Sequence, residues 1–120
     1  MEFLLQLYND EQRWNGMQPD DFRREVGAYL AYSQALHEAG VFVAGSPLEP
    51  TSAATTVRVN ADGTTSVLDG PYADTKEQLG GYYLINVPDS EAALAWAARC
   101  PCASHGSVEV RPLRDVPALV

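Results

Sequence analysis

Residues 81–87 read Gly-Tyr-Tyr-Leu-Ile-Asn-Val and form the most strand-like stretch of the chain. Side chains of a strand point alternately to its two faces, and both alternating sets are largely apolar here. Because neither set suits solvent, the stretch is predicted to be a central strand that is covered on each side. This requirement constrains the fold more than any other feature of the sequence.

Helix and strand signals alternate along the rest of the chain. Pro19 followed by two aspartates is typical of a helix start, and Gly40 is typical of a helix end. The sequence Asn-Ala-Asp-Gly at 60–63 indicates a hairpin turn. The predicted elements are a strand at 3–8, a helix from Pro19 to Gly40, strands at 41–45, 55–59, 64–68 and 81–87, a helix at 88–100, and a strand at 106–112.

The first predicted helix carries a stripe of apolar residues at helical spacing. We expect this stripe to pack on the sheet, while Arg23, Arg24 and Glu25 lie mostly on the other side. The stripe consists of Phe22, Val26, Tyr29, Leu30 and Leu36.

The order of these elements predicts an α+β fold, a ferredoxin-like sandwich with both helices on one face of the sheet. The 120 residues are enough for one domain, with its core at about 2–113. Two helices cover one face only, so the second face of the central strand needs another cover. A second copy of the sheet is the simplest answer, and a homodimer is therefore predicted.

Charge and targeting signals exclude several classes of protein. Eight basic residues against sixteen acidic ones give a net charge of −8, which disfavours direct binding of nucleic acid. The amino terminus lacks the basic region of a signal peptide, and no segment has the roughly 18 to 20 apolar residues that cross a bilayer. The chain is expected to be cytoplasmic, without a membrane partner.

The two cysteines raise the question of a metal. Cys100, Cys102 and His105 could supply three soft ligands, but a structural zinc site needs four and there is no second pair. A disulfide across Pro101 would be strained. Free thiols at a helix end are the favoured interpretation, and no metal or organic cofactor is expected.

The densest group of polar residues lies between Leu68 and Tyr82. Asp69 ends a strand, and the Gly70-Pro71 pair then fixes a rigid turn that can present a carboxylate to a cleft. Asp69 is the best candidate for a general base or a ligand-binding acceptor. The alternative is structural, because an aspartate before Gly-Pro often accepts backbone hydrogen bonds that hold the turn.

Several stretches of the chain resemble one known family. The run DGPYADTKEQLGGYYLINVPDSEAALAWAARCP at 69–101, with HGSVEVRPL at 105–113 and EAGVFVAGSPLEP at 38–50, closely resembles the DGPF-domain branch of the YCII-related family. Tyr72 stands where the namesake tetrapeptide has phenylalanine. The resemblance implies a ferredoxin-like subunit that dimerises as an α/β barrel.

The resemblance also implies two kinds of function. Members of the wider family have been proposed as small-molecule enzymes, partly because a His–Asp pair lies in a cleft. Relatives with the same barrel include lyases, isomerases and monooxygenases that need no organic cofactor. DGPF members often occur beside extracytoplasmic-function sigma factors, which implies an accessory partner of such a factor as the alternative.

Four further side chains are candidates for the site, each with a structural alternative. His105 is a candidate acid or base that pairs with Asp69 if the last strand lies near the motif, or else a surface histidine. Tyr72 and Tyr82 are candidate ligand contacts, although aromatic residues near a central strand often belong to the core or a dimer contact. Lys76, the only lysine, is a candidate contact for an anionic substrate, or else a solvated charge.

The sequence therefore predicts a dimeric protein with a small-molecule cleft near the turn at 69–72. The resemblance implies the activity of a cofactor-free lyase or isomerase. The substrate is not identified by any residue pattern.

Overall fold

The computed structural model describes residues 1–116. Three helices and six strands are present in this part of the chain, with two short 3₁₀ turns at Thr51–Ala53 and Pro101–Ser104. In chain order they are β1 (Glu2–Asn9), α1 (Gln12–Asn15), α2 (Pro19–Glu38), β2 (Phe42–Pro47), β3 (Thr55–Val59), β4 (Thr65–Asp69), β5 (Gln78–Asn86), α3 (Ser90–Arg99) and β6 (Ser107–Pro112).

The main sheet has four antiparallel strands in the order β2-β5-β1-β6. With α2 between β1 and β2 and α3 between β5 and β6, this is the ferredoxin-like α+β arrangement, which confirms the predicted fold class. The strand predicted at 81–87 lies inside the sheet between β2 and β1. It begins earlier than expected, at Gln78, so Gly80 belongs to the strand as well.

The core lies between one face of this sheet and the helices α2 and α3. Alternate residues of β1 and β5, such as Leu5 and Ile85, are fully buried against Leu36 of α2. The hydroxyl of Tyr32 donates to the Trp96 carbonyl oxygen at 2.7 Å and thereby links α2 to α3. These contacts fix the helical layer on the sheet.

The helix ends follow the predicted signals. Pro19 opens α2 with two aspartates in its first turn, and Gly40 follows the helix with a φ of 72°. A positive φ favours glycine, which is why the helix stops there. In α3 the side chain of Asp89 caps the first turn by accepting from the backbone N–H of Ala92 at 2.8 Å.

The apolar stripe of α2 does not pack on the sheet along its whole length, and the prediction was wrong for its first half. Phe22, Val26 and Leu30 remain 48%, 39% and 67% exposed, whereas Leu36 is fully buried. Tyr32, outside the predicted stripe, is the other buried residue of the helix. The same spacing suits a helix that packs on a core and one that lines a cleft, because both present apolar side chains on one side.

The strands β3 and β4 form a separate two-stranded hairpin, which we call the arm. In the described part of the chain these two strands pair only with each other, around the predicted turn at 60–63. The apolar side chains of the arm are largely exposed: Val57, Val59, Val67 and Leu68. Its base is held by a hydrogen bond from the Gly70 N–H to the Ala54 carbonyl oxygen at 2.7 Å.

None of the helices within residues 1–116 has the length and apolar character needed to cross a membrane.

Candidate functional site

One side of α2, from Phe22 to His37, forms one wall of a cleft of about 1090 Å³. We call it the aromatic cleft. Its opposite side consists of β2, the loop at 48–52 and the start of β5 at 80–83. The exposed apolar residues of α2 line it, together with Trp14 from α1. A concave, mostly apolar surface with a few polar groups is typical of a small-molecule site.

Tyr83 lies deepest among the aromatic residues of this cleft. Its ring makes an edge contact with Tyr32 at a centroid distance of 5.2 Å, and its hydroxyl lies 3.0 Å from that of Ser33. Burial raises the pKa of Tyr83, so the hydroxyl keeps its proton at neutral pH. A Cβ at Gly45 would come within 2.8 Å of this ring, so glycine there makes room for Tyr83.

Glu11 shapes one end of the cleft. Its two carboxylate oxygens accept from the backbone N–H and the hydroxyl of Thr51, at 2.7 Å and 2.8 Å. The backbone N–H of Glu11 donates to the Gln78 side chain at 3.0 Å. One residue thus ties the segment before α1 to the 48–52 loop and to β5. Glu49 lines the cleft in the same loop.

The turn at 69–72 contributes its two middle residues to the cleft. Gly70 and Pro71 line it, and so does Tyr82. Asp69 and Tyr72 are exposed and are absent from the lining, and the Tyr72 ring lies against Arg58 of the arm at 5.5 Å from the guanidinium carbon. Lys76 is exposed outside the cleft as well. Their predicted roles in ligand binding and catalysis stay predictions.

His105 lies against the carboxylate of Glu25, not against Asp69. Its Nε2 is 3.6 Å from Glu25 Oε2, while Arg13 Nη2 donates to Glu25 Oε1 at 2.8 Å. The charged groups that act on the His105 ring are those of Arg13, Glu25 and Glu77. The structure therefore does not bring the predicted Asp69–His105 pair together, because β4 belongs to the arm and His105 follows the turn after α3.

This cluster of Arg13, Glu25 and His105 is largely buried. Hydrogen bonding from Arg13 lowers the pKa of Glu25, so the carboxylate stays charged. Burial, together with the positive charge of Arg13, lowers the pKa of His105, so the imidazole is neutral at pH 7. Four of its buried polar atoms have no hydrogen-bond partner within the described chain: Arg13 Nη1, Glu25 Oε2, and both ring nitrogens of His105.

Tyr29 connects the cluster to the aromatic cleft, because it lines the cleft and lies one helical turn from Glu25. Burial raises the pKa of Tyr29, and the neighbouring groups of Cys102, Cys100 and Glu25 act in the same direction. A phenol kept protonated in this way can donate a hydrogen bond to a ligand oxygen.

The thiols are buried and free. Cys102 directs its sulfur to the carbonyl oxygens of Tyr8 and Ser107, at 3.4 Å and 3.7 Å. Burial raises the pKa of Cys100 to about 11, which keeps that thiol protonated and unreactive at neutral pH. Within residues 1–116 no group of three or more His, Cys, Asp or Glu side chains is arranged to hold a metal ion.

Sequence reasoning missed several of the residues that build these sites. Glu11, Arg13 and Trp14 lie between the predicted strand at 3–8 and the predicted helix from Pro19, where no element was predicted. Glu25 was assigned to the side of the helix away from the sheet. Their partners Thr51 and His105 are distant in sequence. The exposed apolar half of α2 did carry a signal, but that signal also fits a helix packed on a core.

Two known proteins are similar to this chain over most of its length. A protein of Rhizobium meliloti (strain 1021), itself uncharacterised, is 40% identical over 115 residues, which cover 94% of this chain and 92% of that protein. The solved structure of 5-chloro-2-hydroxyhydroquinone dehydrochlorinase from Burkholderia phenoliruptrix, in complex with 2,5-dihydroxybenzoquinone, is similar with a TM-score of 0.49 at 16% identity. It covers 95% of this chain and 94% of that one.

The family comparison covers nearly the whole chain. The model of the YCII-related domain matches residues 1–117, from β1 to beyond β6. This match confirms the resemblance at the level of the family, while the DGPF branch stays a prediction. The ferredoxin-like subunit, with its aromatic cleft between α2 and the sheet, belongs to the YCII-related domain family.

Proposed function

We propose that the chain binds a small, ring-bearing organic molecule in the aromatic cleft and acts on it as a cofactor-free enzyme of the lyase or isomerase type. The observation that carries the proposal is the cleft itself, about 1090 Å³ in volume and lined by exposed apolar residues of α2. Apolar side chains left open in a concave site favour an apolar ligand, because the ligand removes their surface from water.

The polar groups of the cleft suit proton transfer at a bound molecule. A lyase or isomerase of this type moves a proton to or from a carbon or oxygen atom, and needs an acid and a base within reach of it. The phenols of Tyr29 and Tyr83 stay protonated because burial raises the pKa of each. The carboxylates of Glu11 and Glu49 are the candidate bases at the other end.

Filling the cleft tests the binding step. We expect benzyl alcohol, a small aromatic probe, to bind to the unmodified protein and to lose at least about tenfold in affinity in Val26→Trp, because the indole occupies the cleft. The matched control is Leu94→Trp, which places the same ring on an exposed position of α3 outside the cleft. Ligand-observed NMR measures the affinity, and melting temperatures show that both variants are folded.

Equal binding of benzyl alcohol to Val26→Trp and to the unmodified protein would contradict the proposal. Loss of binding in Leu94→Trp would contradict it too, since the probe would then bind elsewhere. The alternative role, as an accessory partner of a sigma factor, stays a prediction from the resemblance.

A further inference from the structure

Carboxylates are the main charged groups of the aromatic cleft. Glu11 and Glu49 line it, and the described residues of the lining include no lysine or arginine and one histidine, His37, which stacks on Phe42 at a centroid distance of 4.0 Å. The neighbouring cation is Arg13, whose guanidinium carbon lies 6.0 Å from the Trp14 ring centroid. Glu25 neutralises that charge at 2.8 Å.

From this distribution we propose that the ligand of the aromatic cleft is an organic cation, an amine whose ammonium group lies beside Glu11 and Glu49 and whose apolar body lies against the rings. The proposal rests on the proposed function of the cleft and adds the charge class of its ligand. The anionic substrate predicted at Lys76 is a separate prediction, because that side chain is exposed outside the cleft.

The carboxylate of Glu11 is held in place before a ligand arrives. Each of its oxygens accepts one hydrogen bond from Thr51, and a carboxylate oxygen has a further lone pair available. The group can therefore accept from an ammonium without giving up the contacts that orient it. A fixed carboxylate loses little side-chain entropy when the cation binds.

The aromatic rings favour a cation as well. Trp14 and Phe22 meet edge to face at a centroid distance of 5.7 Å and an angle of 76°, so the two rings form a corner at the same end of α2. Ring faces carry negative charge density and attract ammonium groups within about 6 Å. The net charge of −8 for the whole chain adds a long-range attraction of the same sign.

An anionic ligand would meet the opposite conditions. A carboxylate in this cleft would lose water of hydration next to two carboxylates, and the described lining offers it no lysine or arginine in exchange. Exclusion of anions is therefore as much a part of the proposal as preference for cations.

Three probes of nearly the same shape separate the charge effect from the effect of the ring. They are benzylamine, benzyl alcohol and benzoate, titrated at pH 7 by ligand-observed NMR. We expect benzylamine to bind about tenfold tighter than benzyl alcohol, which corresponds to one close cation contact, and benzoate to bind most weakly.

Glu49→Gln removes one charge of the cleft while keeping the size of the side chain. We expect this variant to reduce the preference for benzylamine over benzyl alcohol. Glu91→Gln, at an exposed position of α3 outside the cleft, is the matched control and keeps the full preference.

The outcomes separate this proposal from the proposed function. If Val26→Trp abolishes binding of benzyl alcohol but benzoate binds as tightly as benzylamine, the charge class is wrong and the cleft remains a binding site. An undiminished amine preference in both Glu49→Gln and Glu11→Gln would also overturn the charge class. If Val26→Trp affects none of the probes, the proposed function itself fails.

Discussion

Gly106 lies where the last strand meets the first. A Cβ built on this residue would collide with the carbonyl oxygen of Tyr8, which belongs to the backbone of β1 and cannot turn away. No other glycine in the described chain leaves its added Cβ so little room. Glycine is therefore required at position 106 because a larger residue has no room there, and not because its φ is positive.

The substitution Gly106→Ala should lower the free energy of unfolding by about 3 kcal/mol, near the upper end of the usual cost of overpacking. Gly27→Ala is the matched control, because Gly27 is exposed within α2 and its added Cβ meets nothing within 4 Å. That control should stabilise the protein by about 0.5–1 kcal/mol. Urea denaturation measures both, and a neutral Gly106→Ala would contradict the packing at this strand end.

At the scale of residues, the sequence identified chemical types but not their partners. His105 was predicted to pair with the carboxylate of Asp69, yet the carboxylate beside it is that of Glu25 on α2. Pairing depends on which elements the fold brings together. From the sequence alone, the carboxylates of Asp69 and Glu25 are equally suitable partners for His105. The Gly70-Pro71 turn, in contrast, was expected to border a cleft and does so.

At the scale of elements, Arg13, Glu25 and His105 tie three parts of the fold together: α1, α2 and the turn before β6. His105 has a lowered pKa, so in the folded state it binds a proton less readily than in the unfolded chain. As the pH falls below its ordinary value of 6.5, the unfolded chain takes up the proton first and the free energy of unfolding decreases.

Protonation of Glu25 also decreases the free energy of unfolding, but in a more acidic range than protonation of His105. Its pKa is lowered by the hydrogen bond from Arg13, so its stabilisation is complete above the ordinary value of 4.5 and is lost as the pH falls through its folded value. We expect the free energy of unfolding of His105→Gln to change less between pH 7 and 5 than that of the unmodified protein. Below pH 4.5 it should still decrease.

Glu25→Gln is the complementary variant. Below pH 4.5 this variant should lose the part of the decrease in the free energy of unfolding that the Glu25 carboxylate causes. Between pH 7 and 5 the free energy of unfolding should decrease more steeply, because the variant lacks the carboxylate that favours a charged His105. Chemical denaturation across the pH range gives both profiles. A His105→Gln profile that coincides with the unmodified one between pH 7 and 5 would show that this imidazole is not coupled to folding.

At the scale of the whole molecule, the sheet has one covered and one open face. Phe3, Leu5 and Ile85 pack against the helices, so the alternate residues Leu4 and Leu84 point to the other side. These two side chains are only partly buried within the described chain. The homodimer was predicted because this second face of the central strand needs a cover. The arm presents further exposed valines, Val57, Val59 and Val67.

The homodimer stays a prediction, and the open face supplies its test. Light scattering at micromolar concentration should give twice the 13.0 kDa of one chain. Leu84→Glu should produce a folded monomer, because it places a charge on the open face, whereas Leu94→Glu on exposed α3 should leave the dimer intact. A 13.0 kDa species for the unmodified protein would rule the homodimer out.

The sequence by itself determined the six strands, the two longer helices, their order and the central position of the strand around 81–87, but not the short helix α1. These depend on local signals, such as Pro19 and Gly40 at the ends of α2, and on alternation along a strand. Only the tertiary structure decided that the first half of α2 lines a cleft and that Glu25 meets His105. Such pairings join residues far apart in the chain. The chemical type of an apolar or charged side chain does not specify which distant residue it will contact.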